Sequence, residues 1–192
     1  MPAYNEANYI GSVVLQAKPY ADEVIVADDG SKDRTAEIAA LAGASVIKHE
    51  RNQGKGAAIQ SILVEAIKRN ADVLVIMDAD AQHDPGEIPP LIKAVSEGAD
   101  LVIGSRSLGR ENIPTYRKLG QKVLSSLTGT LSKAKVSDTE SGFRALSRKA
   151  ISAMQLKESG FAIESEMISE AAAKGLKIVE VPITAIYTKD GS

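Results

Sequence analysis

The stretch VLVIMDADAQHDP, residues 73 to 85, runs from five apolar residues directly into a cluster of acids. A short apolar run bounded by turn-forming residues is typical of a buried strand. Asp78, Asp80 and Asp84 follow it, and carboxylates held this close repel one another unless a positive charge offsets them. The stretch therefore predicts a buried strand whose carboxyl end needs a cation.

Apolar strands alternate with helical segments on both sides of this stretch. The predicted strands cover residues 23–31, 45–50, 73–77 and 100–106. Such alternation is typical of a parallel sheet with helices on both faces, in which ligands bind beyond the carboxyl ends of the strands. We therefore expect three polar clusters on one rim of the sheet: ADDGS (27–31), DADAQ (78–82) and GSR (104–106).

The two ends of the chain follow this pattern less closely. The sequence has no apolar stretch before the turn PAYNE (2–6), so we expect the usual first strand to be missing. Residues 114–131 predict a helix with one apolar stripe, which either packs in the core or docks at a membrane surface: Leu119, Val123, Leu127 and Leu131. A helix over 161–175 and a last strand over 176–187 follow, and Pro182 suggests that this strand lies at an edge.

Composition excludes several classes of function. The chain has 192 residues, a length that predicts one domain, and its net charge of −2 argues against a nucleic-acid surface. It has no cysteine, which excludes disulfides and thiolate metal sites. The sequence has neither a signal peptide nor an apolar run of the roughly 18 residues that a membrane span needs. We expect a cytoplasmic protein that binds, at most, peripherally at a membrane.

The acids after residue 77 have the spacing of metal ligands. Residues two apart in an extended segment point the same way, so Asp78 and Asp80 can approach one point, with Gln82 next in line. Hard oxygen ligands suit Mg²⁺ or Mn²⁺, and Mg²⁺ commonly completes its shell with water and substrate phosphates. Asp84, directly before Pro85, is instead expected to cap the next helix.

Seven motifs occur in an order that resembles a known family. They are PAYNE (2–6), VADDGSKDRT (26–35), NQGKG (52–56), MDADAQHDP (77–85), IGSR (103–106), YRK (116–118) and DTESGFR (138–144). Together they resemble the family 2 glycosyltransferases, and within them the dolichyl-phosphate mannose synthase branch. The resemblance implies an α/β GT-A fold, a mostly parallel Rossmann-like sheet flanked by helices. It implies a single catalytic domain over 1–192, with a nucleotide-sugar half (1–106) and an acceptor half (107–192).

The resemblance also implies roles for residues at matching positions. Nucleotide-sugar contacts are expected from Pro2, Ala3, Tyr4, Glu6, Asp28, Asp29, Asp78 and Ala79. Metal ligation is expected from Asp80 and Gln82. Acceptor contacts are expected from Arg106, Arg117, Ser141 and Arg144. The residues expected to carry catalysis are Asp78, Asp80, Arg106, Arg117 and Asp138.

The activity implied by the resemblance is inverting, metal-dependent transfer of a sugar from a UDP- or GDP-sugar to a polyprenyl phosphate at a membrane surface. A phosphate acceptor is already anionic, so it needs arginines for positioning more than it needs a base. Two alternatives stay open: an N-terminally incomplete, non-catalytic homologue or partner protein, and a sugar-1-phosphate nucleotidyltransferase. The sequence also leaves open a homo-oligomer or a membrane partner.

Some polar residues have an ordinary structural interpretation. Lys55 lies in a glycine-rich turn but lacks the spacing of a phosphate-binding loop, so we expect a solvated side chain. His49 is expected at the surface of a strand end, and His83 at the rim. Glu164 and Glu166, on the helix over 161–175, are expected on a solvated face.

Overall fold

The computed structural model describes residues 1–108, 136–184 and 186. Strands and helices alternate through these residues, as the sequence predicts. In chain order the elements are β1 (Pro2–Ala3), α1 (Ile10–Ala17), β2 (Ile25–Asp28), α2 (Thr35–Leu41), β3 (Ser45–Lys48), α3 (Lys55–Lys68), β4 (Val73–Ile76), α4 (Ile88–Ser96), β5 (Leu101–Ser105), β6 (Arg144–Ser147), α5 (Arg148–Ala153), α6 (Ile163–Ala173) and β7 (Ile178–Pro182). The predicted helix 114–131, its apolar stripe and Arg117 lie outside the described residues.

The strands form two sheets rather than one. A parallel sheet has the order β1-β2-β3, and a four-stranded sheet has the order β4-β6-β5-β7. In the second sheet β5 and β7 are parallel, and β7 lies at the edge, where Pro182 needs no partner for a backbone N–H. The α/β class is therefore confirmed, with a division of the strands that the sequence did not predict.

The first strand is present in short form, contrary to our expectation. Pro2 pairs with Ala27 and Ala3 with Asp28, so two residues are enough to continue the parallel sheet. The backbone N–H of Asp29 donates to the carbonyl of Ala3 at 2.8 Å. The turn PAYNE thus begins inside the sheet, next to the end of β2.

Strand β6 runs antiparallel between β4 and β5. Arg144, its first residue, pairs with Ile76 on one side and Ile103 on the other. The chain therefore enters β6 at the rim where β4 and β5 end. Residues 136–143 lie at that rim as a consequence, and they bring acceptor-side residues of the sequence next to the DADAQ motif.

One apolar cluster joins the two sheets. It contains Val26 from β2 and Val102 from β5, together with Met77 and Phe143 at the rim. Helices α1 and α4 cover this cluster with Val14 and other fully buried side chains. The shared core fixes the carboxyl ends of β2, β4 and β5 close to one another.

Asp100 is a buried acid that joins three segments at the end of the four-stranded sheet opposite the rim. Its carboxylate accepts hydrogen bonds from the backbone N–H of Lys177 at 2.9 Å, from Ser147 at 3.1 Å and from Lys149 at 3.0 Å. Burial opposes its ionisation, but these donors outweigh burial and lower the pKa of Asp100. The carboxylate form is therefore part of the folded structure.

We expect Asp100→Asn to lower the free energy of unfolding at pH 7 by about 1–3 kcal/mol, because an amide presents an N–H group to donors. A lowered pKa means that the stabilisation is complete above the unfolded pKa and is lost as pH falls through the folded one. The difference in the free energy of unfolding between wild type and variant, measured by urea denaturation, should therefore become smaller below about pH 4.

Asp72→Asn is the matched control. Asp72 also pairs with a basic residue, Arg148 at 2.9 Å, but its side chain is 88% exposed. Its loss should change stability by less than about 1 kcal/mol. Equal effects of the two substitutions would contradict the role assigned to Asp100.

Candidate active site

Charged side chains from three segments act on His83, which follows β4. The imidazole is buried and stacks near the ring of Phe143, with ring centroids 5.1 Å apart. Burial lowers the pKa of His83, and charges on Asp78, Asp80, Lys55 and Arg106 act on the same ring. Residues from separate motifs therefore lie within electrostatic reach of one buried ring. His83 itself is an interior residue, not the rim residue that we expected.

The turn after β1 is attached to the turn after β2. Asn5, at a φ of 57°, donates from its backbone N–H to Ser31 at 2.9 Å, and its side-chain oxygen accepts from Lys32 at 2.9 Å. The backbone N–H of Glu6 donates to the Thr35 hydroxyl at 2.8 Å. Asn5, which the sequence analysis did not single out, is thus the residue that fixes this turn.

The predicted nucleotide residues in this turn occupy different environments. Pro2 and Ala3 are buried in β1, so they can offer a ligand mainly backbone, whereas Tyr4 is largely exposed. Glu6 is half-buried, and burial followed by the charge of Asp80 raises the pKa of Glu6. Glu6 therefore belongs to the same acidic group as the DADAQ motif.

Asp28 and Asp29 have different roles although they are adjacent. Asp28 is buried; its Oδ1 accepts from the Ser31 N–H at 3.2 Å, while its Oδ2 has no hydrogen-bond partner among the described residues. Buried polar atoms are normally paired, so this oxygen points to a donor supplied by a ligand. Asp28 remains a candidate for nucleobase recognition.

Asp29 is committed to the protein. Its carboxylate accepts from His49 at 2.7 Å, from the Gln53 N–H at 3.0 Å and from the Gly54 N–H at 2.7 Å. Both oxygens are thus used to hold the turn NQGKG, and His49 is a partner of that acid, not the surface residue that we expected. Both carboxylate oxygens of Asp29 are thus hydrogen-bonded within the protein, and its nucleotide contact stays a prediction.

Asp78 is held on several sides. Its Oδ1 lies 2.7 Å from the ammonium of Lys55, and its backbone N–H donates to His83 at 3.3 Å. A Cβ on Gly142 would overlap the Asp78 carboxylate, so only glycine allows this approach. Burial opposes ionisation, but the charge of Lys55 outweighs it and the pKa of Asp78 is lowered. The neighbouring Ala79 is buried in the core.

Lys55 and Glu164 are buried partners, contrary to the solvated positions that we expected. The Lys55 ammonium lies 2.7 Å from Glu164 Oε1 as well as 2.7 Å from Asp78 Oδ1. The Glu164 contact is ionic, since that oxygen has no well-aligned hydrogen bond among the described residues. Burial opposes the charge on Lys55, yet the two carboxylates raise its pKa. The two partners lie far apart in the sequence, so no local pattern indicates the pair.

Asp80 and Gln82 form a tight turn after the strand end. Ala81 takes a φ of 63°, which is uncommon for a residue with a side chain, and the Gln82 N–H donates to Asp80 Oδ1 at 3.0 Å. Within the described ranges, no group of three or more acidic, histidine or cysteine side chains is arranged to hold a metal. This donor set fits a cation that takes one or two protein oxygens and completes its shell with phosphates and water.

The basic residue Arg106 forms an ion pair with the acid Asp138. Arg106 donates to both oxygens of Asp138 through Nε and Nη2, each at 2.9 Å, and its backbone N–H adds a third bond at 3.0 Å. These hydrogen bonds lower the pKa of Asp138. The guanidinium is still 40% exposed, so it lies at the surface of the site. Arg117, its predicted partner, lies outside the described residues.

Two predicted acceptor residues are internal. Arg144 is 1% exposed and donates to three backbone carbonyls: Ser141 at 2.8 Å, Glu164 at 2.6 Å and Thr139 at 2.9 Å. Burial lowers its pKa to about 10. Ser141 is fully buried, and its hydroxyl accepts from the Phe143 N–H at 3.3 Å. Both residues hold the segment 138–143 in place, and their contact with an acceptor stays a prediction.

The family follows from comparison with known proteins. A family model described as Glycosyl transferase family 2 matches residues 1–154. The chain belongs to glycosyl transferase family 2. This confirms the resemblance drawn from the seven motifs, and the protein is a glycosyltransferase.

Relatives of this glycosyltransferase include proteins named for lipid-linked acceptors. It is 36% identical to the UDP-N-acetylglucosamine--dolichyl-phosphate N-acetylglucosaminyltransferase of Methanococcus voltae, over 98% of this chain and 85% of that protein. It is 36% identical to the dolichol-phosphate mannosyltransferase of Pyrococcus furiosus, over 96% of this chain and 54% of that protein.

A solved structure supports the GT-A fold of the glycosyltransferase. Glucosyl-3-phosphoglycerate synthase from Mycobacterium tuberculosis, in complex with Mn²⁺ and UDP-glucose, superposes with a TM-score of 0.71 at 25% identity. The match covers 99% of this chain and 70% of that one. Within the described ranges of our chain, every helix is too short or too polar to traverse a bilayer.

We expect Lys55→Met to lower the free energy of unfolding by about 3–5 kcal/mol, because it leaves the buried carboxylate of Glu164 and the partly buried carboxylate of Asp78 without a counter-charge. Adding Glu164→Gln should restore part of this loss, since one of the two charges is then removed. Urea denaturation of the single and double variants measures both effects.

Lys68→Met is the matched control on the same helix. Lys68 contacts Glu65 at 3.4 Å, but its side chain is 66% exposed, so its loss should cost less than about 1 kcal/mol. A Lys55→Met protein as stable as the control would show that the buried ion pairs do not support the fold.

Proposed function

We propose that this glycosyltransferase moves a hexose from a UDP- or GDP-sugar to a polyprenyl phosphate, with inversion at the anomeric carbon and with Mg²⁺ or Mn²⁺ bound. The single observation that carries the proposal is that the donor and acceptor motifs meet at Asp78, whose carboxylate is held by Lys55 and lies so close to Gly142 that a Cβ there would overlap it. The names of the dolichyl-phosphate relatives support the acceptor. Such an acceptor places the reaction at a membrane surface.

The donor nucleotide is bound by the ends of β1 and β2. Asp28 Oδ2, buried and without a partner among the described residues, accepts a hydrogen bond from an N–H of the nucleobase. Uracil and guanine both offer such a group, so this contact accepts either nucleotide. The turn of Tyr4 and Glu6 lies beside it, because Asn5 and Ser31 join the two turns. Asp78, held by Lys55, lies next along the rim, where the ribose and the sugar follow.

The proposed cation is held by Asp80, with Gln82 beside it. When bound, the cation neutralises the leaving diphosphate. The sharp turn at Ala81 keeps Asp80 and Gln82 together, with the Gln82 N–H donating to Asp80 Oδ1 at 3.0 Å. Burial and then the charges of the nearby aspartates raise the pKa of Glu6, so a cation bound here would relieve repulsion among these acids.

The acceptor phosphate is positioned by Arg106. An anionic oxygen of the acceptor phosphate attacks the anomeric carbon and forms the new C–O bond. The bond from that carbon to the diphosphate breaks. The nucleoside diphosphate leaves with the electron pair, and no proton has to be removed from the nucleophile. Asp138 suits this scheme, because its carboxylate is committed to Arg106 and it serves to orient the guanidinium rather than as a base.

The proposal is tested by transfer from a panel of labelled UDP- and GDP-sugars to farnesyl phosphate. We expect one donor to give a farnesyl-phosphate hexose of inverted configuration, with Mg²⁺ or Mn²⁺ present, and we expect no product with farnesol. Arg106→Ala should lower kcat/KM for farnesyl phosphate by about 10- to 100-fold, because it removes charge-assisted hydrogen bonds. No transfer from any donor by folded protein would count against the proposal.

Metal-dependent nucleotide binding is tested separately. Mn²⁺ with UDP or GDP should raise the melting temperature of wild type, because a ligand bound only by the folded state stabilises it. Asp80→Asn should lose this shift. The control Asp84→Asn should keep it, since Asp84 is exposed and caps the next turn through the Gly86 N–H at 2.8 Å. Loss of the shift in both variants would argue against a specific role for Asp80.

A further inference from the structure

Glu180, a carboxylate on the edge strand β7, supports the acceptor side of the site. Glu180 lies in β7, beside Ile103 of β5. Its carboxylate accepts from the Ser137 N–H at 3.0 Å to each oxygen, from the Ser137 hydroxyl at 2.7 Å and from the Asp138 N–H at 3.3 Å. It lies beyond residues 1–154, to which the family model is matched.

These bonds fix the residue that orients Arg106. Asp138 receives three donors from Arg106, and the backbone that carries it is itself held by Glu180. The hydroxyls of Ser105 and Ser137, 2.8 Å apart, close the same junction at the end of β5. A displacement of the 137–138 backbone would therefore move the Asp138 carboxylate and, with it, the guanidinium.

We propose that Glu180 is a positioning residue for acceptor phosphate: it sets the place of Arg106 through Ser137 and Asp138. This inference rests on the proposed role of Arg106 as the phosphate contact. Its physical basis is that a carboxylate can accept several backbone and hydroxyl donors at once, whereas a neutral amide presents a donor where an acceptor is needed. Glu180 touches no reacting atom.

The test is the dissociation constant of farnesyl phosphate, measured by calorimetry below its micelle concentration, with the full chain and no donor. We expect Glu180→Gln to bind about 10-fold more weakly, as for the loss of one or two charge-assisted hydrogen bonds. Arg106→Ala should bind at least as weakly. The double variant should bind no more weakly than Arg106→Ala, because Glu180 acts through that side chain.

Glu87→Gln is the matched control for a purely structural effect. The Glu87 carboxylate also accepts from a backbone N–H close to the end of β7, that of Thr184 at 2.9 and 3.1 Å. The substitution Glu87→Gln should lower the melting temperature without changing the affinity for farnesyl phosphate by more than about 2-fold. If Glu180→Gln does not fold, Ser137→Ala, which removes only the hydroxyl bond, should weaken binding by about 3-fold.

The outcomes separate the two proposals. Weakened binding by Arg106→Ala together with wild-type affinity in Glu180→Gln, or in folded Ser137→Ala, overturns the positioning role alone. Additive losses in the double variant overturn it as well, since Glu180 would then act elsewhere. Wild-type affinity in Arg106→Ala overturns the proposed phosphate contact and, with it, this inference.

Discussion

The site depends on one buried cation placed between two carboxylates. Lys55 begins α3, Asp78 follows β4 and Glu164 lies in the first turn of α6, so a single ammonium joins three elements. Bringing these charges out of water is costly, and only close mutual contact offsets the cost. The packing around them is correspondingly tight: the turn of Gly54 leaves no room for a Cβ against the backbone of Ser159. The strand end that carries the acidic motif cannot be altered without changing this arrangement.

Along the rim, acids lie on the donor side and an arginine lies on the acceptor side, as suits the proposed transfer between two anionic substrates. On the donor side the acids outnumber the lysine that pairs with them, which leaves a need for positive charge. On the acceptor side Asp138 orients Arg106 along one edge of its guanidinium while the side chain remains partly exposed. Arg144 connects the two sides, because it binds the carbonyls of Thr139 and Ser141 and also that of Glu164. Glu164 in turn contacts Lys55, so the segment 139–144 is linked through this residue to the acidic strand end.

The sequence predicted the elements whose signals are local. Apolar runs gave β2 to β5, and the rule that ligands bind at strand ends placed Asp28, Asp78 and Arg106 on one rim. Burial and long-range pairing could not be predicted in this way. The resemblance implied ligand contacts for Arg144 and Asp29. No local pattern indicated that Arg144 also binds three carbonyls inside the protein, or that Asp29 also holds the turn NQGKG. Glu180 carried one signal that was not used: it is a single acid within the apolar strand Ile178–Pro182.

The junction between β5 and the segment before β6 has a consequence for protein engineering. The Arg106 N–H is bonded to Asp138 at 3.0 Å, and the Ser105 and Ser137 hydroxyls lie 2.8 Å apart. The chain between Arg106 and Ser137 therefore leaves and rejoins the fold at one point, where these bonds join the residues at its two ends. Because the cost of closing a loop grows only slowly with its length, a transplanted insert of another size adds little strain to the scaffold. The junction of Ser105 and Ser137 is thus a natural boundary for exchanging the chain between them among relatives.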